Sequence, residues 1–193
     1  MAISYPVSTP TDIGIANITL RARNAVALTE SPFSFKQQVI RHAGQRWEAD
    51  VSIPPVRRDL VAPWVGMLMS LKGQFGTFLL GDPDYTSPRG SATAATISGS
   101  AGDEDVTVTM TGTLLAGDYI QIGSGSSAKL HKVLQDQSGN GTLEIWPALR
   151  ANHSGSVTLE SPKGVFRLSG SVTEWSVDST NIYGLSFSAV EVL

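Results

Sequence analysis

Apolar residues recur at every second position along much of the chain, and the runs break at glycine, proline and serine. Ile13, Ile15, Ile18 and Leu20 lead on to Ala27 with arginines interspersed, which predicts one or two strands. In "SPFSFKQQVIRH" Phe33 and Phe35 fall on one face, and in "GQRWEADVSIPP" Trp47, Ala49, Val51 and Ile53 do the same. Period two in successive runs, each closed by a turn signal, predicts a β-meander.

The period changes at "VRRDLVAPWVGMLMSLKG", where Leu60, Val61, Trp64, Val65, Leu68 and Leu71 recur at helical spacing. The pattern predicts one helix over 60–72, with Asp59 as its N-cap, Pro63 in its first turn and Gly73 as a left-handed C-terminal cap. Met67 and Met69 are expected to fill gaps in the core. Thr77 to Leu80 read as a short strand, and Asp82-Pro83-Asp84 as an ordered turn rather than an acid/base pair.

From Arg89 to Gly102 the composition drops to Ser, Ala, Thr and Gly, the sign of a linker or a lightly packed first strand. Short alternating runs follow over 92–160. Val106, Val108 and Met110 alternate, Ile120 and Ile122 point inward against Tyr119 and Gln121, and "AKLHKVLQD" and "GTLEIWPALR" repeat the design. Even spacing and glycine-rich turns predict a small barrel. Val172, Trp175 and Val177, then Ile182, Leu185, Phe187, Val190 and Val192, supply two closing strands. The fold class expected is therefore mainly β with one helix. Residues 1–86 plus 163–193 form an outer β-sandwich-like domain, and 87–162 form an inserted OB-like β-barrel, with the stretch around Asp82 as the seam.

At 193 residues the chain can bury roughly two-thirds of its unfolded surface. Only 16% of residues are charged, so part of the surface is expected to be covered by a partner. The net charge of −3 offers no general attraction for nucleic acid or anionic lipid. Arg57 and Arg58 adjoin, however, and Arg21, Arg23, Arg41 and Arg46 share one half of the chain. With no cysteine there is no thiolate nucleophile and no cysteine-bound zinc. Neither a signal peptide nor an apolar run of about 20 residues is read, so a soluble protein without membrane insertion is expected.

Candidate chemistry is sparse. His42, His131 and His153 lack metal-ligand spacing, and His131 reads as an exposed strand position. "DED" at 103–105 is expected to cap a turn, and "GSGSS" at 123–127 to form a hairpin, since it lacks the ending of a phosphate loop. No Gly-x-Ser-x-Gly elbow occurs. A glycan hydrolase using Glu144 or Glu160 would lack a second placed carboxylate. No catalytic residue, metal or cofactor is expected.

The order of features carries a resemblance. The N-terminal β-region is followed by the helix with "MLMSLKGQFGTFLLGDPD". Next come the barrel runs "AGDYIQIG", "LHKVL" and "GTLEIWPALR", and the chain returns in "PKGVFRLSG" and "YGLSFSAVEVL". Together they resemble the distal tail proteins of siphophages and prophages, over nearly the whole chain. That resemblance implies a homo-hexameric ring at the tail tip of a virion, made in the bacterial host's cytoplasm. Such a ring joins the tail-tube protein to the tail-tip hub and lets DNA pass, with the barrel projecting outward toward side fibres or a host glycan. Specific nucleic-acid binding is not implied, because the barrel lacks exposed aromatic pairs for base stacking. The helix is expected against the outer sheet, and the 21–46 region near a neighbouring copy. The candidate interface comprises Arg21, Arg23, Phe33, Phe35, Arg57 and Arg58. Tyr119, His131 and Trp146 are the candidate barrel surface, and they would serve an alternative function as a carbohydrate-binding module.

Overall fold

The protein is described by a computed structural model covering residues 3–193. It is mainly β with one helix. In chain order the first elements are β1 (Asn17–Glu30), β2 (Gln37–Arg57), α1 (Arg58–Ser70) and β3 (Phe78–Leu80). The middle of the chain supplies β4 (Ala95–Gly99), β5 (Asp105–Met110), β6 (Thr113–Leu114), β7 (Tyr119–Ile122), β8 (Lys129–Val133), β9 (Gln137–Ser138), β10 (Gly141–Trp146) and β11 (His153–Val157). The return leg supplies β12 (Gly164–Leu168), β13 (Trp175–Val177) and β14 (Ile182–Glu191).

Two six-stranded sheets hold all of these strands except β6 and β9, which pair with each other. The first runs β1-β2-β14-β12-β3, with β13 paired to β14, and draws on both ends of the chain. Along β2, Trp47, Ala49, Val51 and Ile53 are buried while Glu48, Asp50 and Ser52 stay half-exposed, as the period of two requires. Helix α1 packs on the apolar face through Val61, Trp64 and Leu68, with Trp64 against Phe187 and Phe187 edge-on to Phe78.

The helix differs from the sequence reading at its start. Strand pairing resumes after a bulge at Tyr183–Leu185 and reaches Arg57, opposite Ile182, so the helix begins where the ladder stops rather than at Asp59. Arg57 caps it with no side-chain hydrogen bond. Asp59 lies inside the first turn, where its charge meets the free amide donors, and Pro63 falls beyond that turn. At the other end the helix stops at Ser70, two residues short of the expected 72, with Leu71 rather than Gly73 as its cap. Lys72 and Gly73 both take left-handed backbone, with φ of 51° and 68°, and Gly73 sits against the Ser171 backbone.

The second sheet is a barrel in the order β11-β4-β5-β10-β8-β7. Gln121 and Thr158 exchange two backbone hydrogen bonds of 2.8 and 2.9 Å, and these bring the two ends of the sheet together. The low-complexity run before it contributes β4, whose Ala95 and Ile97 are buried. Inside lie Val106, Val108, Leu143, Ile145 and Ile120, all nearly inaccessible to solvent.

Around the seam, Asp82 accepts a hydrogen bond from the Asp84 amide at 3.1 Å, the ordered turn that the proline predicted. A Cβ on Gly81 would collide with the Pro162 carbonyl oxygen, so the outgoing and returning segments touch there.

Leu130 sits on a barrel strand yet packs into the core of the first sheet, wholly buried. Leu130→Ala is therefore expected to cost about 2–5 kcal/mol. Because this side chain ties the two cores together, urea unfolding followed by tryptophan fluorescence and by far-UV circular dichroism should remain coincident in the parent chain. Separate transitions would show that the cores unfold independently.

Candidate functional site

The β1–β2 hairpin extends well past the sheet. Its ladder runs from Asn17 opposite Ser52 to Glu30 opposite Gln37, with a bulge between Asn24 and Val26. Strand β14 supports β2 only as far as Glu48. Beyond that point two strands stand alone as an arm, and from Arg21 to Gly44 every residue except Ser31 is exposed. An isolated two-stranded hairpin is marginal in water. This one carries Val26, Leu28, Val39 and Ile40 in the open as well.

Phe33 and Phe35 do not share a strand face. They lie in the turn at the arm's tip, 96% and 73% exposed, where Phe35 donates its amide to the Ser31 carbonyl at 2.9 Å and takes a φ of 53°. Pro32, which has no amide donor, ends the ladder there. Nearer the sheet, Arg21 pairs with Asp50, and Arg23 and Arg46 converge on one oxygen of Glu48 at 2.9 and 2.6 Å. Hydrogen bonds from Arg46 and Arg23 hold the Glu48 carboxyl below the usual range, and the Ser188 hydroxyl followed by Arg21 does the same for Asp50. Such exposed pairs contribute little to stability. Arg57 and Arg58 lie elsewhere, exposed at the joint between β2 and α1, at the opposite end of β2 from the arm. The six candidate interface residues thus fall into two groups.

The three residues expected on the barrel surface are not free there. Tyr119 is buried between Trp47 and Tyr85, with ring centroids 6.0 and 5.3 Å away, and Lys132 Nζ lies 4.0 Å above its ring. Trp146 stands edge-on to Trp47 at 4.6 Å and donates its indole N–H to Asn24 Oδ1 at 2.8 Å. Both point out of the barrel as the alternation implied, but the first sheet covers that face. His131 has the opposite phase. It is wholly buried, with Nδ1 2.7 Å from the Pro147 carbonyl oxygen, to which it donates, and Nε2 unpartnered. Burial is the main cause that pushes its pKa down to about 4.

A polar tie crosses the same junction. Trp47 donates its indole N–H to the Leu130 carbonyl at 2.8 Å. The buried Glu191 accepts from the Trp47 amide and from Arg150 Nη2, both at 3.0 Å. Arg150 also reaches the Gln45 carbonyl, and Gln45 Oε1 accepts from the Ala148 amide at 2.7 Å. Gln45 and Glu191 went unnoticed in the sequence. Their signal was a polar residue in the core phase of an alternating strand: Gln45 in step with Trp47 and Ala49, and Glu191 in step with Leu185 and Ala189.

Elsewhere Asp103 accepts from the Ser100 amide at 2.7 Å and caps its turn, as expected. "GSGSS" forms a tight 3-10 turn at Gly125–Ser127 between β7 and β8. Glu144 is engaged by Gln135 at 2.6 Å. Among the described residues no three His, Asp or Glu side chains gather in metal-binding range, and no helix is long and apolar enough to cross a membrane. Compared with known proteins, the chain matches no family model and no curated protein sequence.

His131 gives the junction a pH dependence. An unfolded histidine takes its proton near pH 6.5, whereas the folded site resists it down to about 4. Below pH 6.5 the unfolded chain therefore binds the proton first. Stability is complete above that value, falls by about 3 kcal/mol as pH drops to 4, and the loss then levels off. Urea midpoints at pH 7, 5.5 and 4.5 check this: His131→Asn, which keeps an amide donor for Pro147, is expected to flatten the slope. An unchanged slope would place the effect in another group.

Proposed function

We propose that the chain is a structural, self-associating component of a phage tail. In this reading copies close into a ring, six-fold by the resemblance in the order of its sequence features, at the tail tip of the virion. The ring joins the tail-tube protein on one face to the hub protein on the other and leaves a passage for DNA.

The arm is the observation that supports self-association. It presents about the 20–30 residues that one partner contributes to a standard protein interface, and its tip holds two phenylalanines in water. Burying each would contribute about 1.5–3 kcal/mol. The role asks for no turnover: copies need only hold one another in a fixed orientation. The Trp47 junction suits that purpose, because it fixes the barrel against the sheet from which the arm springs. A net charge of −3 also suits a channel through which DNA must slide without lasting phosphate contacts. The alternative, a carbohydrate-binding barrel, rested on Tyr119, His131 and Trp146, and those residues are committed to the junction and the barrel interior.

Light scattering over a concentration series, with electron micrographs of the same sample, tests the proposal. Rings of six times the 20.4 kDa chain mass are the expected result. Phe33→Ser with Phe35→Ser, both at exposed positions, should leave the fold intact and weaken association at least roughly a hundredfold. A parent chain that stays monomeric at every concentration would overturn the reading.

A further inference from the structure

The first sheet keeps two open edges, and they lie on opposite sides. Among the described residues strand β1 pairs only with β2, and β13 only with β14. Tyr183 and Leu185 of β14 face β2 on one side and β13 on the other, which puts β1 and β13 at the two margins of the sheet. The third margin is closed: Val7 pairs alongside Phe78 and covers β3. The barrel closes on itself through Gln121 and Thr158.

The two open edges differ in a complementary way. Within residues 21–46 Arg21, Arg23, Lys36, Arg41 and Arg46 outnumber the one acid, Glu30, and the partners of the four arginines, Asp50, Glu48 and Glu104, come from outside that stretch. From Leu168 to the end of the sequence there is no lysine or arginine, and Glu174 and Asp178 flank β13. Both edges are also apolar. Val26 and Leu28 lie open on β1, while Trp175 and Val177 lie open on β13, with Val172 just before them. Natural sheets seldom leave a long edge bare, because it invites another strand.

Resting on the self-association proposed above, we infer that the β1 edge of one copy pairs with the β13 edge of the next, so that the first sheet continues from copy to copy. The occupant is a second copy rather than the same one, since β2 and β14 separate the two edges within a chain. The contact joins unlike surfaces head to tail, the kind of interface that closes into a ring when the rotation between copies is right. Glu174 and Asp178 then lie against Arg21 and Arg23, whose side chains are 53% and 65% exposed even while paired to Asp50 and Glu48. The arm tip, carried past the edge, covers further surface of the neighbour.

The absence of native cysteine makes a direct test available. Ser176→Cys, at the middle of β13, is combined in one chain with a single cysteine at each position from Ala22 to Leu28 in turn. Each variant is oxidised under assembling conditions and read on a non-reducing gel, with micrographs of the same samples. Paired strands bring facing Cβ atoms to about 4.5–5.5 Å, near the span of a disulfide, and alternate them between faces. The expected result is a ladder of linked copies at one or two positions that share a face, and none at the positions between. Rings without such links, or with equal linking at every position, would overturn the edge pairing and leave the ring standing. No ring from any variant or from the parent chain would overturn both.

Discussion

The indole of Trp47 stands where two hydrophobic cores meet, and much of the architecture follows from how that ring is held. It belongs to a strand of the first sheet, packs on Tyr119 and Trp146 of the barrel, and donates its N–H to a barrel carbonyl. Its own backbone amide is held by Glu191, which also receives Arg150. Aromatic burial supplies most of the stabilisation at such a contact. The surrounding polar groups fix its geometry, because Gln45 and Glu191 are buried and losing the bonds they make would be costly. The barrel is therefore oriented by side chains, in addition to the two strands of chain that enter and leave it beside Gly81 and Pro162.

That rigidity contrasts with the arm. The same β2 strand that carries Trp47 into the core runs on, through Gln45 and Arg41, into a hairpin with little beneath it. Gln45 at its root, bonded to Glu104, Ala148 and Arg150, tethers it to the barrel, and further out Arg41 pairs with Glu104 and Asn24 accepts from Trp146. One continuous strand thus links the buried junction at Trp47 to the exposed apolar residues of the arm. In the proposed assembly this continuity matters mechanically, since a neighbour gripping the arm acts directly on the strand that positions the barrel.

Much of this was legible in the sequence. The alternation through Trp47, Ala49, Val51 and Ile53 identified the buried face of β2, and the even runs between 105 and 146 identified the barrel. Three features were misread for physical reasons. Phe33 and Phe35 have strand spacing, but Pro32 turns the chain, and spacing alone does not show that a partner strand has ended. Tyr119 and Trp146 were assigned correctly to the outside of the barrel, yet alternation cannot say what covers an outside. In β8, Leu130, His131 and Val133 are all buried because the strand is covered on both faces, so its phase is not unique and His131 was turned the wrong way. The tie through Gln45 and Glu191 joins residues far apart in sequence, and only their polar character at core-phase positions hinted at it.

The central claim is that the arm is an assembly surface. Hydrogen–deuterium exchange of residues 21–44 as a function of protein concentration tests it most directly, with the barrel amides as an internal reference. The arm amides are expected to exchange quickly in dilute solution and to become protected as concentration rises, while the barrel stays unchanged. Fast exchange of the arm at every concentration, including any at which larger species are present, would contradict the claim.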